Sequence, residues 1–237
     1  MRLILYKVNT NFFQMPLYQG FQAFILLSGN KVNKKNNLVK WFLSVLAISI
    51  TLIAWLFLVD NTEDKTFLWA RYTARISFFF FTVSFLASSI HYFLSNSLTN
   101  FIRNNRRHIG LSFALAHTIH LVALTSFFVT TNQNPDIDTV LGGGLAYLAM
   151  YIMAFTSNDN AVRKIGFKRW KLIHKVGANY TAFIFAFTYL GRLTKEEFSS
   201  VEYNLLFSII IGAFALRVLY FFRTRNEDKE LQKSYKV

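Results

Sequence analysis

Long apolar blocks parted by short clusters of positive charge constrain this chain more than any single motif. Apolar runs fall at about residues 41–59, 69–94, 108–129, 140–155, 170–190 and 203–222. About 20 apolar residues in a helix cross the roughly 30 Å hydrocarbon core of a bilayer, and each run is close to that length. Charged residues make up only 16% of the 237 residues, against about 25% in an ordinary soluble domain. The expected fold is all-α: a polytopic membrane protein with a six-helix transmembrane bundle and lipid around it.

The basic residues set the orientation. Lys31, Lys34, Lys35 and Lys40 precede the first run, and Arg103, Arg106 and Arg107 lie between the second and third. Arg163, Lys164, Lys168, Arg169 and Lys171 lie between the fourth and fifth, and Arg223, Arg225, Lys229, Lys233 and Lys236 follow the sixth. The remaining connections are acidic or near neutral. Positive loops stay on the cytoplasmic side, so both termini are expected there, and an added or missing span would break the alternation. The net charge of +14 therefore reads as a topology signal and not as a nucleic-acid surface. Residues 1–37 form an N-terminal segment of uncertain structure. Its apolar run at 21–27 is too short to span and lacks a small-residue cleavage site; Met15 is another possible start. Residues 38–222 form the six-span domain, and residues 223–237 a solvated cytoplasmic tail.

Chemistry is bounded by what the spans contain. Without cysteine there is no disulfide, thiolate metal site or cysteine nucleophile. Gly142-Gly143-Gly144 follows no strand, so it is not a phosphate loop. Five histidines remain: His91, His108, His117, His120 and His174. All fall in the expected inner half or middle of the bundle. Ionisable groups inside a membrane are costly and mark function by default. His117 and His120 are neighbours on one helix face, about 13 and 18 Å beyond His108 at 1.5 Å per residue. Imidazoles from facing helices suit a b-type haem: each donates one nitrogen to iron, and apolar helices wall the macrocycle. The spans offer no Asp or Glu for a proton relay and no third or fourth zinc ligand. If the third and fifth spans start level, His117 lies about 4–5 Å deeper than His174, and His120 about 9 Å deeper.

Several segments carry a resemblance. They are Arg106-Arg107, Gly110-Leu111 and Thr118-Ile119-His120; Phe155-Thr156-Ser157, Arg163-Lys164-Ile165-Gly166, Trp170 and Leu172-Ile173-His174; and Thr73-Ala74-Arg75. Over about residues 70–192 they resemble the ferric reductase-like transmembrane domain, most closely the MsrQ-type haem subunit of the bacterial periplasmic methionine sulfoxide reductase system. By that resemblance His120 and His174 fall on haem-ligand, and hence metal, positions. It implies a bacterial inner-membrane location, electrons from a cytoplasmic flavin or pyridine-nucleotide reductase, and a redox acceptor at the outer face. Flavin enters only through that partner. As an enzyme, the chain would be the electron-transferring subunit of a ferric reductase-like oxidoreductase. Family members can use a second histidine about 13 residues after the first on the fifth span; here that position is Phe187, which cannot bind iron.

Three outcomes follow: one inner haem on His174 with His117, His120 or His91; a haem with one protein ligand; or a scaffold without haem. The first reading is a haem b electron-transfer subunit, with one haem in preference to two. The alternative is a non-redox bundle: an assembly factor, a transporter or a degenerate relative. Arg75 either snorkels to the interface or pairs with a propionate or an outer acidic residue.

Overall fold

The computed structural model describes residues 34–54, 57, 65–194 and 200–234. Among them are eight helices and no strand: α1 (Lys34–Ala54), α2 (Lys65–Phe93), α3 (Ser97–Asn104), α4 (Arg106–Thr131), α5 (Ile137–Thr156), α6 (Asp159–Ile165), α7 (Phe167–Leu193) and α8 (Ser200–Ser234). Lys65–Phe93, Arg106–Thr131, Thr139–Thr156 and Val201–Glu227 are each long and apolar enough to cross a membrane. The chain is an integral membrane protein.

The two other expected spans differ from these four. In α1 the apolar stretch Val39–Ile53 is short, and most of the expected continuation lies outside the described residues, as do residues 1–33 and the acidic loop at 60–64. α7 is long enough at about 40 Å. However, Lys168, Arg169, Lys171 and Lys175 fill its first turns and Asn179 follows. The last helix also departs from expectation. α8 continues past Phe222 to Ser234, because its tail has no proline or glycine to stop it.

The connections on the basic side are structured. Asn96 caps α3 through a reciprocal box: Thr99 N–H donates to Asn96 Oδ1 at 2.8 Å, and Asn96 N–H donates to Thr99 Oγ1 at 3.1 Å. Asn158 caps α6 by accepting from Ala161 N–H at 2.8 Å. Gly166, at φ 85°, lets the chain turn from α6 into α7 where a side chain would be strained. Arg107 reaches Asp159 at 2.9 Å, which puts the α3–α4 and α5–α6 corners at one end of the bundle.

Directions follow from side-chain pairs. α2 and α4 run antiparallel in step: Phe67 meets Phe127, Thr73 meets His120, Ser77 meets His117, Phe81 meets Phe113, and Ser84 lies against Gly110. α5 and α7 are likewise antiparallel: Tyr180 Oη donates to Gly142 O, and Trp170 Nε1 donates to Thr156 O. α8 runs alongside α2 in the same direction. Glu202 meets Arg75, Phe214 meets Phe85, and Tyr92 Oη donates to Glu227. α4 and α7 stand apart across the interior. Phe78, Phe81, Phe113 and Phe185 fill the gap with ring centroids 5.1–6.4 Å apart.

At Gly177 the side chain of Met153 packs directly on the α7 backbone. A Cβ there would sit 2.9 Å from Met153 Sδ, whereas one at Gly144 would meet nothing within 4 Å. Gly177→Val is expected to cost about 1–3 kcal/mol through overpacking and to lower the thermal midpoint in detergent. Gly144→Ala should leave it unchanged or raise it.

Candidate functional site

α4 brings two of the expected site residues together. The rings of His117 and His120 are 5.3 Å apart, as i, i+3 neighbours must be. His117 is 9% exposed and stacks on Tyr147 of α5 at 4.4 Å, with Phe113 and Phe185 at 5.3 and 5.7 Å. Tyr147 Oη also donates to the His117 carbonyl at 3.3 Å. The site is thus a pair of imidazoles inside a wall of rings.

Each imidazole faces a hydroxyl of α2. Ser77 Oγ lies 3.0 Å from His117 Nδ1, and Thr73 Oγ1 lies 3.3 Å from His120 Nδ1. Both hydroxyls already donate to their own helix: Ser77 to Ala74 O at 2.8 Å, and Thr73 to Trp69 O at 2.7 Å. A hydroxyl carries one hydrogen, so while that hydrogen stays on the helix carbonyl each oxygen accepts from the ring. The network therefore assigns the proton of each neutral ring to Nδ1, which leaves Nε2 with its lone pair.

His174 sits elsewhere. Its Nδ1 donates to Trp170 O at 3.1 Å, its Nε2 lies 3.2 Å from Ser157 Oγ, and the Trp170 ring covers it at 4.3 Å. Ser157 follows the end of α5, whereas His117 stacks on Tyr147. Ten residues of α5, about 15 Å, separate those two levels. The expected offset of 4–5 Å assumed that the third and fifth spans start level. Here the close of α5 and the α6 corner hold His174 near the basic end of the bundle. His91 is engaged at the α2–α3 corner, where its Nδ1 lies 3.2 Å from Thr99 Oγ1. His108 lies in the first turn of α4.

Phe187 faces outward, 61% exposed, and stacks on Phe183. At 100° per residue, position 185 and not 187 returns to the face that carries His174. Phe185 is the α7 side chain opposite His117, and this much could have been counted from the sequence.

The sequence reading missed the partners. Arg75 pairs with Glu202 at 2.6 Å, with the two side chains 14% and 40% exposed; of the options for Arg75, it takes an acidic residue. Arg217, inside the last span, donates to Phe85 O at 3.2 Å and covers the Phe85 ring at 4.0 Å. Arg106 donates to Ser84 O at 3.1 Å. No group of three or more metal-ligating side chains occurs among the described residues.

The donor chemistry fits a haem held from α4. The buried His117 and the half-buried His120 keep Nε2 lone pairs in a ring-lined interior, where four phenylalanine rings occupy the space between α4 and α7. The α7 candidate does not share their level.

Removing one partner of a partly buried ion pair strands the other charge. Arg75→Leu or Glu202→Leu alone should therefore lower the thermal midpoint in detergent more than the double substitution does.

The chain matches no curated protein and no solved structure. Residues 73–187, just under half of it, match the family model described as ferric reductase like transmembrane component.

Proposed function

We propose that this chain is a membrane electron-transfer subunit that holds haem b from α4. His120 is the first candidate ligand and His117 the second. The reading is supported by two α4 imidazoles, one buried and one half-buried, each with Nδ1 on an α2 hydroxyl and Nε2 left as a donor, within a stretch that matches a ferric reductase-like family model. Haem b would supply a one-electron carrier. The chain's own residues do the rest: Thr73 and Ser77 orient the imidazoles, Phe113, Phe185 and Tyr147 exclude water around them, and α5 and α7 close the opposite side. His174 is an inner-mouth candidate at a separate level, and His91 serves the α2–α3 corner.

The topology proposed with this function has six spans, with α1 and α7 crossing beside the four strongly apolar helices and both termini in the cytoplasm. With all basic corners on that face, a separate cytoplasmic flavin or pyridine-nucleotide reductase would deliver electrons there, and an acceptor would take them at the other face. Because the chain lacks cysteine, single-cysteine labelling has no background. An impermeant maleimide should label Asn134→Cys from outside intact cells and Asn160→Cys only after lysis. The reverse pattern would invert the topology.

A second reading is a bundle of the same shape without haem. It is favoured by Phe185 on the α7 face opposite His117 and by the Ser157 hydroxyl beside His174 Nε2. An absorbance spectrum separates the two. Protein purified from haem-replete cells is expected to show a Soret band that sharpens and shifts on reduction. His117→Ala/His120→Ala should lose it, while His91→Ala and His174→Ala should retain it. Colourless wild-type protein would establish the haem-free reading.

A further inference from the structure

We propose that Thr73 and Ser77 are positioning residues that lock the two α4 imidazoles in the tautomer that presents Nε2 to a metal. This rests on the haem reading above, and its chemistry can be read with or without the cofactor. Thr73 is 1% exposed and Ser77 0%, so water cannot replace either hydroxyl. Each oxygen is turned into an acceptor by its own helix, through Trp69 O at 2.7 Å and Ala74 O at 2.8 Å. Each then faces one Nδ1 across the seam, at 3.3 and 3.0 Å. A neutral imidazole has one N–H; once Nδ1 holds it, Nε2 is a bare donor.

The device is doubled and in register. The two hydroxyls stand one turn apart on α2, and the two histidines one turn apart on the antiparallel α4. The arrangement also carries a redox consequence. A ring whose Nδ1–H is held by an acceptor is a more basic ligand, and a more basic ligand favours ferric over ferrous iron. Loss of the hydroxyls is thus expected to raise the midpoint potential.

The test uses the full chain in detergent, as wild type, Thr73→Val, Ser77→Ala and Thr73→Ser. In haem-free protein labelled with 15N-histidine, Thr73→Val and Ser77→Ala should move one ring each from the Nδ1–H to the Nε2–H tautomer, and Thr73→Ser should not. In haem-loaded protein the same two variants should bind haem about 10-fold more weakly. A tenfold change in the ferric-to-ferrous preference appears as about 59 mV in the midpoint potential, with Thr73→Ser restoring it. Unchanged tautomers in Thr73→Val and Ser77→Ala would overturn the proposal, as would an unchanged potential in variants that retain haem. A wild type that takes up no haem, yet shows the tautomer shift, would sink the haem reading and leave the positioning role standing.

Discussion

The antiparallel seam between α2 and α4 is the contact on which the rest of the molecule depends. In a bilayer, apolar burial does not drive helices together, because lipid tails are as apolar as leucine; close packing and interhelical hydrogen bonds do. The seam is built accordingly. Gly110 admits Ser84, the ring pairs Phe67–Phe127 and Phe81–Phe113 fill the wider places, and Ser77 and Thr73 reach His117 and His120 between them. Each such hydrogen bond is worth only about 0.6 kcal/mol on average. Its larger effect is on register, since rotating either helix by one residue turns these groups 100° away from one another.

The interior beyond the seam is packed with aromatic rings. Phe185 touches Phe78, Phe81, Phe113 and His117 at once, so α7 influences the α4 imidazoles without contributing one of its own. The charged groups are kept at the margins and satisfied there by different means. Arg75 finds a carboxylate in Glu202. Arg106 and Arg217 find carbonyls of α2 at the end of the bundle where the loops are basic.

Most of the fold was legible because hydrophobic blocks and their charged flanks are local information. The ends of α2, α4 and α5 fall within about four residues of the apolar runs, the usual boundary uncertainty. α3 and α6 were not read as helices, since segments of eight and seven residues, most of them polar, carry no apolar period long enough to register. α8 overran its expected end because a change from apolar to charged residues ends a membrane run but not a helix. The pairing of His117 with His120 was visible in their spacing. Their hydroxyl partners were not, because the register between α2 and α4 is set by packing across the whole seam and is written in neither helix alone. Glu202 was hidden from Arg75 for the same reason, more than a hundred residues away in the chain.

The level of His174 is the instructive case, because it is pinned by its neighbours and not by its own helix. Trp170 Nε1 holds Thr156 O at 3.0 Å, Gly177 admits Met153, and Tyr180 Oη holds Gly142 O at 3.2 Å. Together these fix α7 against the full length of α5. Sliding α7 by about 15 Å to bring His174 beside the α4 pair would break all three and drive the charged first turns of α7 into the apolar interior. Whatever binds His117 and His120 therefore meets α7 at Phe185. No imidazole of α7 reaches that level.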